Sequence, residues 1–171
     1  MSITSKEQFI KNLISDFKVF KIGQFKLKSG IISPFYIDFR PIISNIVFLE
    51  KLANIAIEKI SYLDFDYIVG VPYTALPIAT IVSHKMKKPL LVPRKEIKDY
   101  GCKEEIVGNF IKGGTCIVID DVFSTGGSKN EVIATLRENG LRVTDVFVFV
   151  NRSPSLYNKV SEQYNLHYVV D

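Results

Sequence analysis

Two adjacent carboxylates, Asp120 and Asp121, are followed after Val122 and Phe123 by the small-residue run Ser124-Thr125-Gly126-Gly127-Ser128. Ahead of them, Thr115 to Ile119 is apolar and largely β-branched, as a buried parallel strand requires. Behind them, Val132, Ile133 and Leu136 recur at helical spacing. A ligand of such a strand–loop–helix unit binds outside the carboxyl end of the strand. A glycine-rich turn that opens a helix offers unpaired backbone N–H groups and the positive end of a dipole, which suits a phosphate. Gly126 and Gly127 allow the backbone to come close, and Ser124, Thr125 and Ser128 add hydroxyl donors. Carboxylates repel phosphate, so the two acids must serve another part of the ligand. Vicinal sugar hydroxyls are good donors to carboxylates, and a ribose 5-phosphate carries both ends. The same residues would also make an ordinary solvent-exposed turn before a helix, and this stretch alone leaves that open. It is neither a Walker A loop, since no Gly-Lys-Ser/Thr follows at the right distance, nor a Gly-x-Gly-x-x-Gly dinucleotide fingerprint.

Other residue types could join this chemistry. Gly70-Val71-Pro72-Tyr73-Thr74-Ala75 ends a second apolar run and opens another helical pattern, so its backbone could meet a second anion or be a plain βα turn. Arg152 follows the apolar run Val143 to Val150, and an arginine at a strand end can hold a carboxylate through two parallel hydrogen bonds or form a surface ion pair. The stretch from Arg94 to Gly108 carries Arg94, Lys95, Lys98 and Lys103 against Glu96, Asp99, Glu104 and Glu105, so it is balanced in charge. Any role there must come from individually placed cations. A polar segment of that length between two strands fits an active-site lid or a solvated loop. Lys28, beside the turn Ser29-Gly30, is by itself an ordinary turn lysine.

These residues need a scaffold. Thr4 to Phe17 has an apolar stripe and a capping box at Ser5 and Gln8, the signs of a packing helix. From Gly23 to Arg40, Phe25 and Leu27 and then Phe35, Ile37 and Phe39 alternate around a Ser-Gly turn, which predicts a hairpin flap beside the main sheet. A helix is expected from Ser44 to Ile60, with Val47, Leu52, Ile55, Ala56 and Ile60 inward. Strands follow at Tyr67 to Val71 and Leu90 to Pro93, separated by a helix that ends near Met86. The central helix should end near Asn139, with Gly140 as its cap. After Val143 to Val150 come a helix from Ser153 to Tyr164 and a strand from Leu166 to Val170. Alternating strands and helices predict an α/β domain with a mostly parallel sheet and right-handed crossovers. The ends of four strands would bring Val71 to Thr74, Arg94, Asp120-Asp121 and Arg152 together.

The 171 residues suit one domain, expected to span residues 1–171. The net charge of +4 is spread along the chain and favours a small anionic ligand over nucleic acid. Cys102 and Cys116 have no metal-type spacing and fit a reducing compartment. There is neither a signal-peptide apolar region nor an apolar run long enough to span a bilayer, so a soluble cytoplasmic protein is expected.

With those pieces in hand, the chain resembles the type I phosphoribosyltransferases, and within them the orotate phosphoribosyltransferases. Four motifs carry the resemblance: Leu27-Lys28-Ser29-Gly30 with Ser33-Pro34, Gly70-Val71-Pro72-Tyr73, Arg94-Lys95-Glu96-Ile97-Lys98-Asp99-Tyr100-Gly101, and Asp120-Asp121-Val122. The wording is closest to the transferase half of animal-type UMP synthases. The resemblance implies the type I phosphoribosyltransferase fold, a central mostly parallel sheet flanked by helices. It adds a small N-terminal hood over about residues 18–43 and C-terminal elements, and a mobile lid over about residues 94–110. It implies magnesium-dependent transfer of phosphoribose from phosphoribosyl pyrophosphate (PRPP) to orotate, in pyrimidine (UMP) synthesis. Asp120 and Asp121 would take the ribose hydroxyls, and Ser124, Thr125, Gly126, Gly127 and Ser128, with Val122 and Phe123 leading in, would hold the 5-phosphate. Lys28, Tyr73 and Thr74 would approach the pyrophosphate. Arg94, Lys95, Lys98 and Tyr100 would belong to a lid shared across a homodimer, with Lys98 the decisive cation. Tyr36, Ile37, Ser124 and Arg152 would surround orotate. Magnesium would ride on PRPP with no direct protein ligand set. Neither nucleic acid, membrane nor a decarboxylase domain is expected. Tyr100, Thr74, Ser124 and Asn151 depart from the commoner His, Lys, Thr and Asp of the family. A transferase for another base and a non-catalytic PRPP sensor are the competing readings.

Overall fold

The computed structural model describes residues 8–27, 30–94, 104–124, 127–153 and 163–171. Strands β3 (Tyr67–Gly70), β4 (Leu90–Pro93), β5 (Ile106–Val107), β6 (Thr115–Phe123), β7 (Arg142–Asn151) and β8 (Asn165–Val170) form one sheet in the order β5-β4-β3-β6-β7-β8. All its pairings are parallel except that of β5 on β4. Strands β1 (Phe20–Lys26) and β2 (Ile32–Ile37) make a separate antiparallel hairpin. Helices α1 (Ile46–Ile60), α2 (Ala75–Met86) and α3 (Gly127–Glu138) supply the crossovers and covering layers.

The central strand explains the layering. Ile117 and Ile119 face one core with Leu52, Ala56 and Ile78 of α1 and α2, while Cys116 and Val118 face the other with Ile133 and Leu136 of α3. A strand covered on both faces reads as a continuous apolar run rather than an alternating one. Each such fully buried side chain contributes roughly 2 kcal/mol. Cys116 is fully buried, and burial pushes its thiol up to about 12. At the end of β3, a Cβ on Gly70 would lie 2.9 Å from the Ala79 Cβ and 3.1 Å from the Leu76 Cα. Glycine there lets α2 pack directly onto the strand.

Four expectations are corrected. The central strand does not stop at Ile119: pairing with β7 continues through Phe123 opposite Asn151, so both acids lie within the ladder. Val47 points outward, because Asn45 caps α1 through the Phe48 N–H at 3.0 Å and the inward stripe starts at Phe48 and Leu49. Residues 8–11 are helical, but the chain then widens into a π-helical turn over Asn12–Asp16 instead of continuing as α-helix to Phe17. Within the expected lid, Ile106–Val107 is a sheet edge, and the Arg94 N–H donates to the Glu105 carbonyl at 2.8 Å. The expected helix from Ser153 to Tyr164 falls largely outside the described residues.

Candidate active site

Because β4, β3, β6 and β7 are neighbours in that order and parallel, their carboxyl ends form one contiguous edge. Arg94, the turn Val71 to Thr74, Asp120 to Ser124, and Asn151-Arg152 lie along it. The Pro72–Tyr73 peptide is cis, and Tyr73 is 69% exposed.

A cavity of about 270 Å³ opens between this edge and the hairpin, lined by Lys26, Leu27, Tyr36, Ile37, Asp121, Val122, Ser124 and Arg152. It collects the four residues expected around a base together with one of the two acids. Arg152 is fixed from two sides: its Nη2 donates to the Ser33 Oγ at 2.9 Å, and its guanidinium sits 4.3 Å from the centre of the Phe35 ring. Its backbone N–H donates to the Phe123 carbonyl at 2.8 Å, tying the end of β7 to that of β6. Burial lowers the Arg152 pKa from its ordinary value.

The two acids differ. Asp121 lines the cavity, and its Oδ1 accepts the Val122 N–H at 2.7 Å. Burial, and then the negative Asp120 beside it, push its carboxyl up to about 7. Asp120 is 6% exposed and does not line the cavity. Its Oδ1 accepts the Asp121 N–H at 2.9 Å, and its Oδ2 lies 2.6 Å from the Nζ of Lys129. Lys129 is itself 2% exposed, donates to the Val122 carbonyl at 2.5 Å and lies 5.6 Å from the centre of the Phe123 ring.

Other expected site residues are placed differently. Phe123 is fully buried in the core beneath α3, so its approach to a ligand is limited to its backbone. Tyr73, Thr74 and Arg94 lie on the same sheet edge but outside this cavity. Gly127 opens α3. Lys28, Lys95, Lys98, Tyr100, Thr125 and Gly126 lie outside the described residues. Sequence reasoning missed Ser33 as the support of Arg152, and Lys26 and Leu27 as cavity walls. It also missed Lys129, which sits in a polar first turn where a lysine is ordinarily solvated.

A second polar cluster lies at the base of the hairpin. Asp38, 4% exposed, receives Lys21 Nζ at 2.6 Å and Arg40 through Nε at 2.6 Å and Nη2 at 2.9 Å. Arg40, and secondarily Lys21, hold its carboxyl far below the usual carboxylate range.

The family model described as "Phosphoribosyl transferase domain" matches residues 44–168. An orotate phosphoribosyltransferase of Caenorhabditis elegans is 41% identical over 163 residues, covering 94% of this chain and 71% of that one. The chain belongs to the orotate phosphoribosyltransferases. Uridine 5′-monophosphate synthase of Bos taurus is 47% identical over 139 residues, 80% of this chain but 29% of its own length. The solved UMP synthase of Leishmania donovani superposes with a TM-score of 0.86 at 36% identity, covering 95% of this chain and 35% of that one. Against both synthases, the chain spans about a third of the relative. The mostly parallel sheet with flanking helices is the type I phosphoribosyltransferase fold, and no described helix is long and apolar enough to cross a membrane.

Proposed function

We propose that this chain transfers the phosphoribosyl group of PRPP to orotate, releasing pyrophosphate and orotidine 5′-phosphate in pyrimidine synthesis. The observation that carries the reading is the cavity joining Asp121 and Ser124 of the β6 edge to Tyr36, Ile37 and Arg152. It gives a diol-seeking acid, a hydroxyl leading into a phosphate-binding turn, and a rigidly held arginine at one place.

In the reaction the bond from ribose C1 to the pyrophosphate oxygen breaks, its electron pair leaving with pyrophosphate. The ring nitrogen of orotate forms the new bond and gives up its proton. Catalysis is then chiefly positioning and charge stabilisation. Asp121 holds the ribose hydroxyls; Ser124 and the turn through Ser128 hold the 5-phosphate on backbone donors. Arg152 takes the orotate carboxylate, its plane fixed by Phe35 and Ser33, and Tyr36 and Ile37 flank the ring. Tyr73, Thr74 and Lys28 approach the pyrophosphate from the neighbouring edge. Arg94, Lys95 and Lys98 supply the lid charges, each worth roughly 4 kcal/mol against a phosphate oxygen at about 4 Å and an effective dielectric near 20, and Tyr100 adds a neutral hydroxyl donor.

The described residues offer magnesium no cluster of three or more acidic, His or Cys ligands. Magnesium would take its ligands chiefly from the phosphates and ribose hydroxyls of PRPP and from water, as suits an ion that gives up its hydration reluctantly. Bound there, magnesium would neutralise charge on the leaving group.

We assign the protein to a cytoplasmic homodimer. Supporting the dimer, Ile22 is 86% exposed on the hairpin, Ile32 66%, and Ile46 and Val47 at the start of α1 are 70% and 63%. The test of the whole reading is loss of orotate absorbance on adding PRPP and magnesium. Turnover with orotate and none with purines or uracil is the expected result. A folded protein that consumes no orotate overturns it.

A further inference from the structure

Lys129 is used by nothing in the mechanism above, yet it is among the largest fully buried side chains of the described residues. A cation in the first turn of a helix opposes the helix dipole. A buried lysine also forfeits its hydration unless it is paired and hydrogen-bonded. An apolar side chain of similar length would fill the same space against Phe123. The charge must therefore be held for what it touches. It touches Asp120 Oδ2 at 2.6 Å and the Val122 carbonyl at 2.5 Å, both on the strand, while its own backbone belongs to α3. Lys129 thus ties the first turn of α3 to the end of β6.

The other oxygen of Asp120 accepts the Asp121 N–H at 2.9 Å. Both carboxylate oxygens of Asp120 are consequently engaged inside the fold, whereas Asp121 faces the cavity. We infer that Lys129 is a positioning residue that claims Asp120 for the scaffold, leaving Asp121 as the carboxylate that grips the sugar diol. Asp120 acts on the ligand through others: it orients the Asp121 backbone and, with Lys129, fixes the entry to the phosphate turn. The inference rests on the sugar-gripping role of Asp121 proposed above.

Lys129 also sets the electrostatics of Asp121. The described charged and titratable groups around that carboxyl are Asp120 and Lys129 from β6 and α3, Arg40 from the turn after β2, and Lys26, Tyr36 and Arg152 across the cavity. Removing the Lys129 charge leaves two neighbouring acids with less cationic compensation.

The test compares Lys129→Met, the double variant Asp120→Asn with Lys129→Met, and Asp121→Asn, by thermal unfolding, PRPP calorimetry with magnesium, and orotate turnover. Lys129→Met strands a buried carboxylate and lowers Tm by roughly 10 °C. It also moves the acid limb of the kcat/KM profile to higher pH, a change that a purely structural lysine would not cause. The double variant removes both charges, keeps an acceptor for the Asp121 N–H and recovers most of the lost Tm. It keeps turnover within about tenfold of the parent, while Asp121→Asn loses on the order of a thousandfold. A double variant as inactive as Asp121→Asn would show that Asp120 contacts the sugar itself and overturn the inference. So would Lys129→Met with parental Tm, pH profile and PRPP affinity. If the parent binds PRPP but consumes no orotate, the substrate assignment fails alone, and the PRPP affinities of the same three variants decide the inference.

Discussion

Asp38, buried at the base of the hairpin, and Asp121, half-buried on the cavity wall, are the same residue, yet their carboxyls titrate in opposite directions. Asp38 meets four hydrogen-bonding nitrogens, Lys21 Nζ and the Nε, Nη2 and backbone N of Arg40, and is held ionised far below the ordinary range. Asp121 meets a second carboxylate, and Lys129 beside it is already paired with that neighbour, so burial and the adjacent acid push it up to about 7. Saturation with cations makes the first a structural joint between hairpin and turn. Under-compensation leaves the second with unsatisfied demand for donors, which a sugar diol or a cation would meet. Strongly perturbed acids mark sites probabilistically, and the sign of the perturbation separates these two roles.

The largest effect should come from Asp121→Asn, with turnover falling on the order of a thousandfold in the orotate assay. Its stability should move the other way. The folded carboxyl binds its proton up to about pH 7, whereas the unfolded one releases it near pH 4. Its contribution is therefore present below pH 4 and lost as pH rises through 7. The ligand-free variant should then match or exceed the parent Tm at pH 8, and lack the parent's decline between pH 5 and 8. A variant that unfolds more readily at pH 8 would erase the contrast drawn above.

Arg152→Ala comes next. Losing the guanidinium should raise KM for orotate about a hundredfold, while PRPP affinity by calorimetry stays within about threefold. Equal losses for both substrates would count against its assignment. Arg152→Lys should rescue little, since an ammonium cannot reproduce the planar fork or the stacking on Phe35.

Asp38→Asn should act on stability rather than chemistry. Removing a carboxylate with charged partners costs about 2 kcal/mol, a Tm drop of roughly 5 °C. The sign of the pH effect is opposite to that of Asp121. The folded pKa is depressed, so the Asp38 contribution is complete above the unfolded value near pH 4 and fades as pH falls below it. The difference in Tm between parent and variant should shrink in acid; a difference that stays constant would mean that the charge of Asp38 contributes nothing to stability. The smallest effect on the monomer belongs to Ile22→Asp on the hairpin surface. Its Tm should change by no more than about 1–2 °C, while light scattering at micromolar concentration shows a shift from dimer to monomer.

Much of this was legible in the chain. Apolar runs of four to eight residues gave the strands, their alternation with helices gave the parallel sense, and the bounds of β4 and α2 were read closely. The site edge followed, because parallel strands put all their carboxyl ends on one side. What stayed hidden depends on partners far away in sequence. Asp120 to Phe123 look like a loop until β7 pairs with them through Asn151. Arg152 and Ser33 are 119 positions apart, and only the docked hairpin brings them together. Val47 looked inward because the stripe was counted without the cap that rotates the first turn. Lys129 was passed over because a lysine in a helix is ordinarily solvated, and nothing local reveals that this one is buried.

Cys116 occupies the middle layer of the central strand, between β3 and β7, with no accessible surface and a thiol that resists ionisation. A maleimide or disulfide reagent therefore reaches it only when the sheet itself parts. With Cys102 replaced by serine, the labelling rate of this sulfur becomes a built-in clock for whole-molecule opening, and substrates that tighten the strand edge should slow it.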